Sequence, residues 1–421
     1  MPDFARSTHP AVQSQLDRLS KLSPGGDQFG LERIAALLER LGRPQDQLPP
    51  VFHVAGTNGK GSTCAFLRAG IEAAGLTCHV FTSPHLVRFN ERIRIAGKLI
   101  EDDLLASLLT EVLDASDGIE PSFFEVTTAV AFLAFARTPA DACIVEVGLG
   151  GRLDATNVIQ RPLVTGIANL GIDHTQFLGT TLADIAAEKA GIAKPEVPLV
   201  TMAYPKEAYL AIANAVGPVG RIWAPMEMAW DAWLDDGDLL VSDDQGDVRL
   251  PAPTMPGAHQ WRNAALAVEM IRSEDRLAVP EAALATAMRQ AHWPARFQKL
   301  ADGPLTHGLA TWVDGAHNPE AAAALADLLA DTGPMHIVLG ILANKDADAI
   351  VAALAPSALS LNFVPVNDHA HHDPAELAKR FGGQAANSLQ DALCGLPAPR
   401  LIAGSLYLAG EALAANGELP D

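Results

Sequence analysis

The run Val51-Phe52-His53-Val54-Ala55, followed by Gly56-Thr57-Asn58-Gly59-Lys60-Gly61-Ser62-Thr63, constrains this chain more than any other stretch. A mostly apolar segment stops at a glycine. A second glycine, a lysine and two hydroxyl residues follow, and Cys64-Ala65-Phe66-Leu67 then reads as a helix. A strand, a tight loop and a helix start are predicted, the setting in which a Gly/Lys/Ser loop binds phosphate. Glycines let backbone N–H groups face an anion, and the helix N-terminus adds partial positive charge. In that setting Lys60 neutralises the outer phosphates of a nucleoside triphosphate, and Ser62 or Thr63 can reach a magnesium ion. The general phosphate-loop pattern has glycine where this chain has Val54 and a hydroxyl residue where it has Gly61. A glycine-rich turn with a chance lysine is the alternative. The strand before it and the helix after it weigh against that.

Strand-like and helical segments alternate beyond the loop. Strands are expected at 51–55, 78–82, 142–147, 163–168 and 197–202, and helices at 61–74, 101–113, 126–136 and 182–190. Such alternation predicts a mostly parallel sheet covered by helices. Residues 1–50 read as mostly helical, and 92–100 as a small hairpin at the side. Residues 220–258 read as an antiparallel appendage, 259–272 as a helix, and 292–297 as the junction. The alternation then restarts with strands at 311–314, 336–342, 360–365 and 400–403 and helices at 319–330, 347–354, 374–380 and 406–415. The expected fold is α/β: a large N-terminal P-loop domain over 1–295 with a mostly parallel sheet, and a smaller C-terminal Rossmann-like α/β domain over 296–421.

The 421 residues suffice for two or three domains, and 49% of them are apolar. A formal charge of −20 argues against nucleic acid or an anionic membrane as partner, since both need a basic face. Cys64, Cys78, Cys143 and Cys394 are scattered, which argues against a disulfide framework or zinc site and for a reducing compartment. Residues 1–10 contain no apolar core segment, and the longest apolar runs are too short to cross a bilayer. A soluble cytoplasmic protein is expected. No interface stripe is evident, so a monomer is expected.

Further chemistry-bearing groups fall at expected strand ends, where open α/β sheets bind ligands. Glu146 ends the strand before Gly148-Leu149-Gly150-Gly151 and can ligate magnesium. Asp173-His174 follows the next strand, and His174 is a second candidate ligand; a satisfied surface or core histidine is the plain alternative. Ser83 follows Phe81-Thr82 and can offer a further oxygen, while Arg92, in Arg88-Phe89-Asn90-Glu91-Arg92, can meet a phosphate or carboxylate. A solvated loop is the alternative there. Lys189 and Lys194 lie near a helix end, where cations also interact well with the helix dipole. Downstream, Asn263 can read a purine edge, Arg296 can reach phosphate, and Asp314 can hold a ribose hydroxyl or a phosphate through a partner.

The order of the motifs is more specific than any one of them. Gly-Thr-Asn-Gly-Lys-Gly-Ser is followed by Thr-Ser-Pro-His-Leu, Arg-Phe-Asn-Glu-Arg-Ile and Glu-Val-Gly-Leu-Gly-Gly-Arg-Leu-Asp-Ala-Thr-Asn. Asp-His, Glu-Lys-Ala-Gly-Ile, His-Gln-x-x-Asn-Ala, Trp-Pro-Ala-Arg and Asp-Gly-Ala-His-Asn-Pro complete the series. From about residue 28 to 410 the chain resembles the bacterial dihydrofolate synthase/folylpolyglutamate synthase family of the Mur ligase superfamily. The resemblance implies that Thr57, Asn58, Gly59, Lys60, Gly61 and Ser62 form the ATP phosphate loop. It implies that Ser83, Glu146 and His174 ligate magnesium, and that Lys189 is carbamylated to serve a second magnesium. Asn263, Arg296 and Asp314 are similar to ATP-contacting residues of the family. Three places resemble its dihydropteroate pocket: Gly30-Leu31-Glu32-Arg33, Ser122-Phe123-Phe124-Glu125 and Leu153-Asp154-Ala155. A phenylalanine can stack on a flat pterin there, although Phe-Phe at a helix start also fits ordinary core. One departure is Ala295, where glycine is expected before the arginine.

The implied chemistry is amide formation through an acyl phosphate, with ATP and Mg2+ as cofactors. The substrates would be dihydropteroate, tetrahydrofolate and L-glutamate. Lys60, Lys189 and Arg296 are the expected catalytic groups, and His317 is assigned to glutamate or proton handling. Alternatives are a folylpolyglutamate synthase without the first activity, a Mur-type cell-wall ligase, or a nucleotide-gated switch.

Overall fold

The computed structural model describes residues 5–22, 30–218, 220–225 and 229–421. Two compact units emerge: Met1–Thr254 with Gln260–His292, and Met255–His259 with Trp293–Asp421. The second unit thus includes a short excursion, Met255–His259, that precedes the last two helices of the first.

The first unit is built on eight strands: β1 (Val51–Ala55), β2 (Cys78–Phe81), β3 (Ile93–Ile95), β4 (Lys98–Leu99), β5 (Ala142–Glu146), β6 (Val164–Ile167), β7 (Pro198–Thr201) and β8 (Arg221–Trp223). Their order is β4-β3-β2-β5-β1-β6-β7-β8. From β2 to β8 every pairing is parallel, and the β2–β3 and β3–β4 pairings are antiparallel. β1 and β5 are buried along their whole length, as strands covered on both faces require. The expected hairpin at 92–100 is β3–β4. The expected appendage contains β9 (Trp230–Asp235), β10 (Asp238–Asp243) and β11 (Gly246–Pro251), an antiparallel sheet. Arg221–Trp223 does not belong to it. That segment pairs with β7 as the outermost parallel strand.

Ten helices belong to the first unit among the described residues: α1 (Pro10–Leu19), α2 (Glu32–Arg40), α3 (Lys60–Ala73), α4 (Asp102–Ala115), α5 (Phe123–Ala136), α6 (Thr175–Leu178), α7 (Leu182–Ala190), α8 (Lys206–Val216), α9 (Gln260–Arg272) and α10 (Glu281–Gln290). α5 is apolar nearly all round, so it must be enclosed. Its Phe132 and Phe135 join Leu37, Leu38, Leu105 and Leu109 in one core. Each buried phenylalanine there stabilises the fold by roughly 1.5–3 kcal/mol. α5 starts three residues before the expected 126, because Ser122 and Glu125 cap its first turn reciprocally. α3 is covered by α9 and α10.

The second unit has the order β12-β13-β17-β14-β15-β16. The strands are β12 (Gln298–Lys299), β13 (Thr311–Val313), β14 (Met335–Leu339), β15 (Ala358–Phe363), β16 (Gln384–Ala385) and β17 (Arg400–Ala403). All pairings but β12–β13 are parallel. Its helices are α11 (Pro319–Thr332), α12 (Ala347–Leu354), α13 (Pro374–Phe381), α14 (Leu389–Leu393) and α15 (Leu406–Asn416). Asn318 caps α11, with Pro319 at its first position. Among the described residues no helix is long and apolar enough to cross a membrane.

Candidate active site

β1 lies between β5 and β6, and β2 lies beyond β5, so four parallel strands end side by side. Val54 is paired with Glu146, and Ala55 with Ile167. The loop after β1 therefore sits between Glu146 and the segment that carries Asp173 and His174. Gly59 takes φ +87°, a left-handed conformation that glycine adopts without steric penalty, and passes the chain into α3 at Lys60. A Cβ at Gly59 would lie 2.3 Å from Oδ1 of Asn263, so α9 presses an amide directly against the loop. Asn263 itself donates to Gln260 Oε1 at 3.0 Å. The N–H of Thr57 donates to the carbonyl of Asn169 at 2.8 Å. Its hydroxyl donates to the carbonyl of Gly171 at 3.0 Å, tying the loop to the end of β6. The buried hydroxyls of Ser62 and Thr63 have no protein partner. An unpartnered serine hydroxyl in the first helical turn of a phosphate loop fits a nucleotide-bound cation.

Lys60 donates to the carbonyls of Gly56 at 3.2 Å and Thr57 at 3.5 Å, and lies 3.9 Å from Glu146 Oε1. Glu146 is 4% exposed, and its Oε2 accepts the N–H of Ser83 at 3.0 Å. Lys189 is 3% exposed and donates to the same Gly56 carbonyl at 3.0 Å. Burial first, and then the charge of Lys60, bring the Lys189 ammonium down to about 7. Gly151 permits this placement: a Cβ there would stand 2.8 Å from the carbonyl oxygen of Glu188 and 3.0 Å from Cα of Lys189. Arg152 adds a backbone bond to Glu188 O at 2.9 Å and an ion pair with the Glu188 carboxylate at 2.7 Å.

Ser83, Glu146, Lys60 and Lys189 thus gather about Gly56. His174 follows the neighbouring strand with φ +52°; its side chain is 42% exposed and 4.0 Å from Asp173. Among the described residues no three His, Cys, Asp or Glu side chains are grouped as a metal site. The expected magnesium set has two such residues, Glu146 and His174, plus a serine and a lysine. A carbamate on Lys189 would supply the missing carboxylate.

The three expected pterin segments also meet. Arg33, in the first turn of α2, donates from Nε to Glu125 Oε2 at 3.1 Å, and α2 and α5 both pack on the turn Ala155–Val158. Gly30 and Leu31 lead into α2, Glu32 is its first residue, and Leu153 is half-buried beside that turn. Ser122 Oγ accepts the N–H of Glu125 at 3.2 Å, and Glu125 Oε2 accepts the N–H of Ser122 at 2.6 Å. Glu125 Oε1 is buried without a protein partner, as suits an acceptor for a heterocycle N–H.

Three expectations change in detail. Phe123 is core: it is buried, its ring is 6.1 Å from that of Phe89, and the Arg92 guanidinium lies 5.7 Å from its centroid. Phe124 is the half-buried ring, and it covers Gly148 so closely that a Cβ there would be 2.4 Å from Cζ. Arg92 is not in a solvated loop. It is 2% exposed, lies beside the edge-to-face pair of Phe89 and Phe123 and donates from Nε to His85 Nδ1 at 2.8 Å. Asp154 spends its carboxylate on the loop, accepting from Leu149 N at 2.9 Å and from Thr156 N at 3.0 Å. Burial raises its pKa above the ordinary carboxylate value.

In the second unit Asp314 likewise accepts two backbone N–H groups, Phe297 at 2.7 Å and Ala316 at 2.8 Å. Burial raises its pKa, and Arg296 opposes the rise. His317 Nδ1 is 2.8 Å from the Gly315 carbonyl, which must accept, so the ring carries its hydrogen on Nδ1. Ala295, where glycine was expected, has φ +54° and is fully buried. The turn keeps a glycine-type backbone although the residue is alanine. The Gly56 carbonyl as a shared lysine acceptor was not legible in sequence, since a backbone acceptor leaves no residue-type signal.

The Mur ligase, glutamate ligase domain family matches residues 295–394. A Bacillus subtilis (strain 168) protein named dihydrofolate synthase/folylpolyglutamate synthase is 36% identical over 362 residues, 80% of this chain and 81% of that protein. The structure described as E. coli FolC in complex with DHPP and ADP superposes with a TM-score of 0.84 at 31% identity, covering 96% of this chain and 97% of that one. A Yersinia pestis bifunctional folylpolyglutamate synthase/dihydrofolate synthase complexed with AMPPNP and Mn ion gives a TM-score of 0.85 at 28% identity, over 97% and 99% of the two chains. Identity at that level along most of both chains, together with the phosphate loop, Glu146 and Lys189 at one sheet edge, settles the relationship: the chain belongs to the dihydrofolate synthase/folylpolyglutamate synthase family of the Mur ligase superfamily.

Proposed function

We propose that this chain is an ATP-dependent ligase that joins L-glutamate to dihydropteroate and lengthens the glutamate tail of tetrahydrofolate. The observation that carries the proposal is the convergence of Lys60 and Lys189 on the Gly56 carbonyl beside Glu146. One cation, a carboxylate and a second lysine whose amine is brought toward neutrality suit a phosphate loop at which charge moves among phosphate oxygens.

The substrate carboxylate attacks the γ-phosphorus of ATP. ADP leaves, and an acyl phosphate forms. The neutral α-amino group of L-glutamate then attacks the acyl carbon; phosphate leaves, and the nitrogen loses a proton as the amide forms. Thr57, Asn58, Gly59, Gly61 and Ser62 cradle the phosphates, and Lys60 neutralises them. Asn263 supports the nucleotide through Gly59. Arg296 adds positive charge, Asp314 shapes the turn that bears it, and His317 serves glutamate or proton transfer. Bound magnesium would neutralise phosphate charge, held by Ser83, Glu146, His174 and a carbamylated Lys189. Carbamylation joins the neutral Lys189 amine to carbon dioxide with release of one proton, and an amine brought to about 7 is substantially neutral at physiological pH. Arg33, Phe124 and Glu125 take the pterin, with Gly30, Leu31, Glu32, Ser122, Leu153, Asp154 and Ala155 forming its surroundings. The enzyme acts as a monomer in the cytoplasm, on small molecules alone.

The test is phosphate release from ATP and magnesium with no substrate, with glutamate, with dihydropteroate, and with both, and mass spectrometry of the products. Dihydrofolate only in the complete mixture supports the first activity. Added glutamates on tetrahydrofolate support the second. Turnover independent of glutamate overturns the proposal.

A further inference from the structure

The loop between β2 and β3 holds a buried imidazole that the ligase mechanism above leaves unused. His85 is 9% exposed, and its Nδ1 is 2.8 Å from Nε of Arg92. A guanidinium can only donate, so Nδ1 is the bare acceptor and the ring hydrogen is on Nε2. No described protein group accepts that hydrogen.

The rest of the loop is fixed. Glu91 accepts the N–H groups of Leu86, Val87 and Arg88 at 2.7, 2.9 and 2.6 Å, and Thr82 N–H donates to the Arg92 carbonyl at 3.0 Å. Arg92 packs against the Phe89–Phe123 ring pair, 5.6 and 5.7 Å from the two ring centroids. A donor held this firmly, with no partner of its own, is preorganised for a ligand.

Its position says which ligand group. Two residues before His85, Ser83 N–H is bonded to Glu146 at the phosphate-loop edge. On the other side, Arg92 contacts Phe123, at the start of the helix whose Phe124 and Glu125 are assigned to the pterin. His85 thus lies in the segment that links the Glu146 end of β5 to the start of α5, where the two ends of such a substrate are placed.

We infer that His85 donates from Nε2 to the carboxylate of the acyl substrate, with Arg92 as the positioning residue that fixes the ring. The inference rests on the ligase proposal above. It makes His85 a substrate-binding residue and moves Arg92 from direct contact to support.

The test uses two variants and two ligands. His85→Asn keeps an acceptor near Nδ1 for Arg92 and loses the outer donor. His85→Gln places an amide N–H near Nε2. Dihydropteroate affinity, read by calorimetry, and its KM should weaken about tenfold or more in His85→Asn, the scale of a lost hydrogen bond to a charged group. His85→Gln should recover most of that loss, and the KM values for ATP and glutamate should stay within about twofold in both. The primary carboxamide of dihydropteroate should bind wild type and His85→Asn with much closer affinities. Equal loss in both variants, unchanged dihydropteroate affinity in His85→Asn, or an equal effect on the carboxamide would overturn the inference while a glutamate-dependent wild type keeps the ligase proposal. A wild type without glutamate-dependent turnover overturns both.

Discussion

Lys60 and Lys189 donate to one acceptor, the carbonyl oxygen of Gly56, at 3.2 and 3.0 Å. Two ammonium groups so placed are electrostatically coupled. The charge of Lys60 is, after burial, the next cause of the lowered Lys189 pKa. The lysine that opens α3 therefore also helps keep its neighbour neutral.

Replacing Lys60 with methionine should act twice. Turnover should fall by about a hundredfold or more, the scale of losing one charge-stabilising donor. The Lys189 pKa should also rise above its value of about 7. The neutral amine, which reacts with carbon dioxide, grows as pH rises through the pKa, so the variant should need a higher pH to carbamylate. Carbon-13 NMR with labelled bicarbonate across pH 6–9 checks this, with Lys189→Arg as the blank. An unchanged midpoint would refute the coupling.

Gly151→Ala should damage chemistry more than nucleotide binding. The added methyl meets the backbone of Glu188 and Lys189 at 2.8 to 3.0 Å, so the end of α7 must shift. A misplacement of about 1 Å can cost about a hundredfold in rate. Steady-state kinetics beside ADP calorimetry would show kcat reduced and ADP affinity nearly kept.

Ala295→Gly should stabilise the protein. The residue has φ +54°, and an L side chain in the left-handed region costs roughly 1–2 kcal/mol, offset in part by about 0.5–1 kcal/mol of glycine entropy. A net gain up to about 1 kcal/mol is expected in urea unfolding. A loss would mean that packing of the buried methyl outweighs backbone strain.

Glu269→Gln should stabilise the protein increasingly as pH rises. Glu269 is fully buried on α9; Trp223 Nε1 donates to its Oε1 at 2.5 Å, and Oε2 has no partner. Arg272 is occupied by Asp243 at 2.5 and 2.6 Å. Burial, then Asp243, raises the Glu269 pKa to about 8 from 4.5. The unfolded chain releases this proton near 4.5 and the folded one near 8, so the wild type loses stability across that window and no further above it. The advantage of the glutamine variant should grow over the same window and reach about 1 kcal/mol or more. Thermal melts of both proteins from pH 5 to 9 measure it. A pH-independent difference would contradict the assignment.

Much of the fold was legible because the loop at 56–60 and the alternation after it carry strong local signals. β1, α7, α12 and β17 fall on the expected residues. β8 was misread because three residues, Arg221 to Trp223, have no period to show which sheet they join. α8 and α10 were not assigned. At the site, the strand-end place of Glu146 and the helix-end place of Lys189 were readable in sequence. The burial of Arg92 was not, because it depends on two phenylalanines from different elements. The use of Asp154 and Asp314 on backbone N–H groups was equally hidden, since a carboxylate that binds a ligand and one that braces a turn are spelled alike.

The contact of Asn263 with Gly59 has a consequence for how the protein is made. The outer side of α3 is covered by α9 and α10, which leave the ribosome only after the whole first sheet and the antiparallel appendage. Until then the nascent phosphate loop lacks its amide brace, and Gly70 lacks the Ile271, Leu284 and Ala287 side chains that seal it. The loop after β1 therefore gains its Asn263 contact, and α3 the cover of α9 and α10, only late in synthesis.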